Sequence, residues 1–168
     1  QSFAGGHLYR YDPAKHDAAV RLAEDPCPLD DLGIPVPHNS IYALAIDRKA
    51  RAIYGIAYPD ARLFVYDLAR QQARDLGPLM TRKIFSGPER TWRSVPRGLC
   101  CVGGRVYTSG EDGLVVYYDP AAGKIVPTTM RLPGEYWEAW TYYGYPVLEQ
   151  FVTERKGRSF GGTSDGFL

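Results

Sequence analysis

The sequence carries almost no net charge and no long hydrophobic run. Its 168 residues have a formal net charge of +1. Nucleic acids and anionic membranes attract proteins through concentrated basic surface, so neither is expected as a partner. No stretch approaches the roughly 20 apolar residues that a helix needs to cross a bilayer, so no membrane contact is predicted. The composition is that of a β-rich globular chain, with 18 glycines, 13 prolines and 13 tyrosines.

Cysteine is scarce and odd in number, at Cys27, Cys100 and Cys101. Such a set does not form an even disulfide framework, and adjacent residues of a strand point to opposite faces of the sheet. We expect Cys100 and Cys101 to be small strand residues, one facing inward and one outward. A vicinal disulfide and a metal site are weaker alternatives. The sequence thus predicts no metal site, names no cofactor and leaves the compartment open.

The sequence does contain a recurring seven-residue unit that runs from a small residue to an aspartate. Its three copies are GHLYRYD (6–12), ARLFVYD (61–67) and GLVVYYD (113–119), and a further copy begins at Gly166. The copies start 55, 52 and 53 residues apart. Self-similarity at a fixed period of this size indicates a repeat architecture.

Turn residues and alternating apolar residues predict four short strands in the second and third repeats. These strands are 41–47, 52–58, 62–67 and 73–79, then 97–102, 105–109, 114–119 and 124–130. In the first repeat, 14–24 is assigned to an outer strand and the proline-rich run 25–37 to a loop. The aspartates that end the third strands, Asp12, Asp67 and Asp119, are expected to accept backbone hydrogen bonds in the following turn.

In segments such as GLVVYYDP (113–120) and FGGTSDGFL (160–168), the chain resembles bacterial β-propellers with kelch-like, quinoprotein-like or YVTN-like blades. The resemblance implies an all-β propeller segment of about three four-stranded antiparallel blades, within a propeller of about six to eight blades. Residues 1–37 would end one blade and form a loop, 38–80 and 81–133 would be the second and third blades, and 134–168 an aromatic insertion and the start of a fourth. The resemblance also slightly favours a secreted or periplasmic protein.

The length of the chain predicts a partner. Closed propellers have about four to eight blades, and the repeat period allows this chain only three. We therefore expect the remainder of a longer polypeptide, or another copy of the chain, to complete the ring.

Polar residues of two repeats are expected to meet at the channel of the propeller, which the first strand of each blade lines. Aligning SIYAL (40–44) with VPRGL (95–99) gives Tyr42 and Arg97 equivalent positions. The predicted catalytic residues are His38, Tyr42 and Arg97, with Asn39 and Arg93 as substrate-binding residues. Such donors suit a carboxylate-bearing or sulfated ligand. The alternative is that they bond loop carbonyls around a water-filled channel.

A second candidate is the aromatic segment 134–145, which does not follow the repeat. Exposed aromatic rings stack on the C–H faces of sugars, so further substrate-binding residues are predicted there. They are Trp137, Trp140, Tyr143 and Tyr145. The alternative is an aromatic loop that fills the gap between blades.

Together these residues resemble those of polysaccharide-active propellers, including lyases of the oligogalacturonate and ulvan type. The resemblance implies binding or processing of an acidic or sulfated polysaccharide. In a lyase, Arg97 would neutralise the uronate carboxylate while Tyr42 or His38 removed the C5 proton. The alternatives are a non-enzymatic protein-interaction scaffold and a metal-dependent lactone hydrolase whose ligands come from other blades.

Overall fold

The computed structural model describes residues 5–12, 29–81, 95–132, 147–153 and 158–163. In these ranges the protein is built of β-strands and one turn of 3₁₀ helix, Glu111–Gly113. The strands are β1 (Tyr9–Arg10), β2 (Asp30–Asp31), β3 (Ser40–Asp47), β4 (Ala52–Tyr58), β5 (Arg62–Asp67), β6 (Gln72–Pro78), β7 (Cys100–Val102), β8 (Arg105–Ser109), β9 (Leu114–Asp119), β10 (Lys124–Arg131), β11 (Leu148–Thr153) and β12 (Ser159–Thr163).

The described strands form four antiparallel sheets, which confirms the all-β prediction. Sheet 1 is β1–β2, sheet 2 is β3–β4–β5–β6, sheet 3 is β7–β8–β9–β10, and sheet 4 is β11–β12. Within each sheet, strands that are consecutive in the chain are neighbours, and in sheets 2 and 3 every connection is a hairpin. The bounds predicted for β4, β5, β8 and β9 match those of the structure, whereas β7 is shorter than predicted and begins at Cys100.

The strand order in sheet 1 corrects the prediction for the first repeat. The strand that pairs with β1 is β2, with Tyr9 opposite Asp31, and it lies inside the run 25–37 that was predicted to be a loop. The predicted outer strand 14–24 falls outside the described residues. The prediction was wrong about 25–37 because two aspartates have little intrinsic preference for a strand, and their pairing is set by the partner strand.

A three-residue device, Asp-Leu-Gly, occurs at the end of β2 and again within β6. Asp31 lies opposite Tyr9, and Asp75 lies opposite Phe64, at the same place in the repeat. Each aspartate accepts a hydrogen bond at 2.9 Å from the backbone N–H of the glycine two residues later. These glycines have φ of +89° and +107°, a region that glycine adopts without cost.

Each of these aspartates also pairs with a base at the start of the neighbouring strand. His7 Nδ1 lies 2.8 Å from Asp31, and Arg62 Nε lies 2.6 Å from Asp75. The hydrogen bond from the Gly33 N–H, followed by that from His7, lowers the pKa of Asp31. Sheets 1 and 2 therefore share the Asp-Leu-Gly arrangement, and its aspartate pairs with His7 in sheet 1 and with Arg62 in sheet 2.

Aspartates that end strands hold the next turn, as predicted for Asp67 and Asp119, whereas the turn after Asp12 lies outside the described residues. Asp67 Oδ1 accepts hydrogen bonds from the backbone N–H groups two and three residues later, at 2.8 and 2.9 Å. Asp119 does the same at 3.0 and 3.2 Å. Asp47, at the end of β3, closes its own turn in this way at 3.0 and 2.9 Å.

The main hydrophobic core lies between sheets 2 and 3. Its residues include Tyr54, Ile56 and Leu63 of sheet 2, and Val106 and Tyr118 of sheet 3. The rings of Tyr54 and Tyr118 meet at 6.0 Å. Burial raises the pKa of Tyr54 to about 12. On the other face of sheet 2, the fully buried Phe64 packs with Val36 and Ala57.

The two adjacent cysteines show that both faces of sheet 3 are covered. Cys100 is buried, with its sulfur 3.2 Å from Thr153 Oγ1 and 3.1 Å from Ser159 Oγ of sheet 4. Cys101 packs against the core shared with sheet 2, and burial raises its pKa to about 12. Both thiols are free. Cys100 and Cys101 face opposite sides of sheet 3, as expected. Both sides are covered, including the one predicted to face outward, because sheet 4 contacts Cys100 and the core shared with sheet 2 contacts Cys101.

The first strands of three successive sheets lie side by side, with β3 next to β7 and β7 next to β11. The N–H groups of Arg97 and Gly98 donate to the carbonyl of Leu148 at 2.9 and 2.8 Å. A Cβ on Gly98 would lie 3.2 Å from the backbone of β11, so glycine permits the approach. No helix in the described residues has the length and hydropathy required for a membrane span.

We expect Phe64→Ala to lower the free energy of unfolding by about 3–5 kcal/mol, because it leaves a cavity where a fully buried ring packs. Urea unfolding of the protein measures this loss. Phe160→Ala, the same change at an exposed side chain of β12, is the control. Equal losses for the two variants would contradict the assignment of Phe64 to the core.

Candidate functional site

The structure brings together two of the three residues predicted to be catalytic. Tyr42 lies on β3 and Arg97 three residues before β7, and the Arg97 Cζ is 5.3 Å from the centre of the Tyr42 ring. Tyr42 is 36% exposed, and the Arg97 side chain is 55% exposed. A guanidinium over an aromatic face is a favourable arrangement, which holds the cation next to the ring.

Tyr58 supports Tyr42 from β4. The two rings stack with their centres 4.3 Å apart and their planes 3° from parallel. Burial, followed by the influence of Tyr42 and a hydrogen bond with its side chain, raises the pKa of Tyr58. The stack fixes the orientation of the Tyr42 ring beside Arg97.

Glu149 extends this arrangement to a third sheet. Its Oε2 lies 3.4 Å from Nη1 of Arg97, and its side chain is 28% exposed. Tyr42 and Glu149 occupy the same place in their strands, because each is the extra residue of a bulge, between Ile41 and Ala43 and between Leu148 and Gln150. A bulge re-aims the side chain it carries.

We call Tyr42, Arg97 and Glu149 the inner row. They lie on or just before the adjacent first strands β3, β7 and β11 and present an aromatic ring, a cation and an anion in sequence. Arg97 contacts Glu149 through one nitrogen at a long distance. Because a guanidinium carries five N–H donors, this contact leaves donors for a carboxylate or sulfate.

Asn39 is buried, whereas a residue that contacts substrate is expected to be exposed. It is 2% exposed. Its Nδ2 donates to Pro37 O and to Asp60 Oδ2, and its Oδ1 accepts from the Asp60 N–H, all at 3.0 Å. The side chain thus ties the loop before β3 to the turn that follows Tyr58, and it positions both tyrosines. A direct contact with substrate stays a prediction.

His38 is exposed and lies in the loop before β3, four residues before Tyr42. Its φ of 61° is in the left-handed region, which non-glycine residues adopt infrequently. Its catalytic role stays a prediction. The substrate-binding residues predicted in the other segments lie outside the described residues, and their roles stay predictions too; they are Arg93, Trp137, Trp140, Tyr143 and Tyr145.

In the part of the chain that the structure describes, no group of three His, Cys, Asp or Glu side chains converges as a metal site would require. The inner row itself offers the chemistry of three side chains. It can stack a ring or an apolar face, donate charged hydrogen bonds from Arg97, and accept hydrogen bonds at Glu149.

Comparison with known proteins gives a likeness of fold. No family model and no curated protein matches the sequence. Among solved structures, the chain is similar to part of the extracellular domain of a protein assigned as a one-component system in B. thetaiotaomicron. The TM-score is 0.57 at 13% sequence identity, and the match covers 97% of this chain and 18% of that one. At this identity the similarity concerns the fold alone, and this chain spans less than a fifth of its neighbour.

We expect Asn39→Ala to destabilise the protein by about 1–3 kcal/mol, because the Asp60 N–H loses its buried acceptor. Thermal and urea unfolding measure the change. His38→Asn is the control at the adjacent position, where asparagine tolerates the positive φ. An unchanged midpoint for Asn39→Ala would show that the loop does not depend on this amide.

Proposed function

We propose that the protein binds acidic carbohydrate at the inner row, within a β-propeller of which the four sheets are successive blades. The blade interpretation is supported by the four-stranded hairpin order of sheets 2 and 3 and by the adjacency of their first strands. In a propeller these strands surround the central channel, and residues at equivalent positions in them converge. The blade number of the predicted ring, six to eight, is part of the proposal.

The observation that carries the binding function is the contact of Tyr42 with Arg97. An aromatic ring beside a guanidinium complements a sugar acid, whose C–H face packs on aromatic surface while its carboxylate accepts charged hydrogen bonds. Tyr42 is held by its stack on Tyr58, and Arg97 by Glu149. Groups held in place before binding lose little side-chain entropy when the ligand arrives.

The catalytic version of the proposal is a β-elimination. Arg97 would neutralise the uronate carboxylate, and Tyr42 or His38 would remove the C5 proton. The electron pair of that C–H bond would form the double bond between C4 and C5, while the C4–O bond broke and the leaving oxygen took up a proton. Binding alone needs no base, so we propose binding as the main function and the lyase reaction as its extension.

The proposed ligand and compartment fit together. An acidic or sulfated glycan is met outside the cytoplasm, and the neighbour that shares the fold is an extracellular domain. The aromatic residues of 134–145 would add stacking surfaces for further sugar units.

The second candidate function is a protein-interaction scaffold. It is favoured by two exposed apolar side chains, Leu44 and Ile46, which alternate onto one face of β3. Exposed apolar surface of this kind marks contacts with other chains, including another copy or the remainder of the propeller. A stable protein partner whose binding is insensitive to Arg97→Ala would support this function.

We expect Arg97→Ala to weaken binding of uronic-acid oligosaccharides about 10- to 100-fold, because a charged hydrogen bond contributes about 1.5–3 kcal/mol. Isothermal titration calorimetry on the full protein measures the affinity. Arg70→Ala removes an exposed arginine in the turn after β5 and is the matched control. Equal affinity of wild type and Arg97→Ala would contradict binding at the inner row.

The same protein and ligands test the lyase extension. Formation of the unsaturated product is followed by its ultraviolet absorbance. Binding without product would reject the lyase reaction and leave the binding function in place.

A further inference from the structure

We propose that Glu149 makes the inner row selective for uronate glycans over densely sulfated ones. The inference rests on the proposed function and narrows its ligand class. Glu149 places a carboxylate against the guanidinium that would hold the acidic group of a ligand. The inner row is therefore a cation flanked by an anion, and not a purely basic site.

Main-chain hydrogen bonds anchor the backbone that carries Glu149. The carbonyl of Leu148 accepts hydrogen bonds from the N–H groups of Arg97 and Gly98. The N–H of Leu148 donates at 2.9 Å to the hydroxyl of Ser109, which is fully buried. The residue before Glu149 is thus bonded on both sides, and the bulge directs the Glu149 side chain toward Arg97.

The exposure of the two side chains determines how a ligand meets them. The Arg97 side chain is 55% exposed and can receive an anion, whereas the Glu149 side chain is 28% exposed and so partly withdrawn from water. A charge that is partly withdrawn from water is screened less, so it repels a second anion at short range. A ligand with one carboxylate can occupy the open edge of Arg97, but a ligand with several sulfates places further charge against Glu149.

A uronate has a second advantage over a sulfated sugar. Its free hydroxyl groups can donate hydrogen bonds to the Glu149 carboxylate, which only accepts. Sulfation replaces those donors with acceptors. The Glu149 carboxylate would thus accept hydrogen bonds from the hydroxyls of a uronate and repel the sulfates of a sulfated sugar.

The test compares affinities for two ligands of equal length, a uronic-acid oligosaccharide and a sulfated oligosaccharide without carboxylates. We expect wild type to prefer the uronate. Glu149→Gln should raise the affinity for the sulfated ligand about tenfold and change that for the uronate by no more than about twofold, since glutamine keeps an acceptor for the hydroxyls. Glu149→Asp keeps the charge and should keep the wild-type preference.

The ratio of the two affinities decides the proposal, because a purely structural role for Glu149 would change both in parallel. An unchanged ratio in Glu149→Gln would overturn it, and Glu149→Ala provides a second uncharged variant if the first does not fold. The proposed function fails separately, if wild type binds neither ligand or if Arg97→Ala has no effect on binding. Loss of binding in Arg97→Ala with an unchanged ratio in Glu149→Gln would reject the selectivity alone.

Discussion

The carbonyl oxygen of Leu148 accepts two backbone hydrogen bonds from the chain just before β7, and this contact joins sheet 3 to sheet 4. At Gly98 a Cβ would lie 3.2 Å from the backbone of β11, a tight contact that glycine avoids. The Arg97–Glu149 contact of the inner row depends on this approach. It sets Arg97 beside Glu149 on one side, while the packing of sheets 2 and 3 sets Arg97 beside Tyr42 on the other.

The repeated residues influence the inner row by fixing the backbone of each sheet, and not by contacting the row itself. Turn aspartates such as Asp67 and Asp119, and the Asp-Leu-Gly device at the edges of sheets 1 and 2, fix the hairpins and their register. None of these residues belongs to the inner row. They ensure that each inner strand reaches its neighbours at the same point, and the side chain found at that point differs from sheet to sheet.

Local signals explain why much of the fold could be predicted from the sequence. Strands β4, β5, β8 and β9 are bounded by turn residues and contain apolar residues that pack on both faces, so their limits can be found from short-range pattern. Strand β2 could not be found in this way, because its two aspartates pair with β1 through long-range register. The second occurrence of Asp-Leu-Gly at 75–77 was the available signal.

The site was predictable where two repeats align without a gap. Tyr42 and Arg97 were matched through the strand that follows the loop, and they are in contact. Glu149 holds the same place in VLEQF (147–151), which aligns with the other two segments without a gap. It was missed because the aromatic segment 134–145, which does not follow the repeat, comes directly before it and hides the start of the next copy.

Main-chain hydrogen bonds and a glycine join sheet 3 to sheet 4, and a core of buried side chains joins sheet 2 to sheet 3, so the three side chains of the inner row are not the main joints between sheets. Each can be exchanged with little effect on the scaffold. A protein built in this way can change its ligand through substitutions at three separated codons, one in each repeat, and the same positions are the natural starting points for redesigning what it recognises.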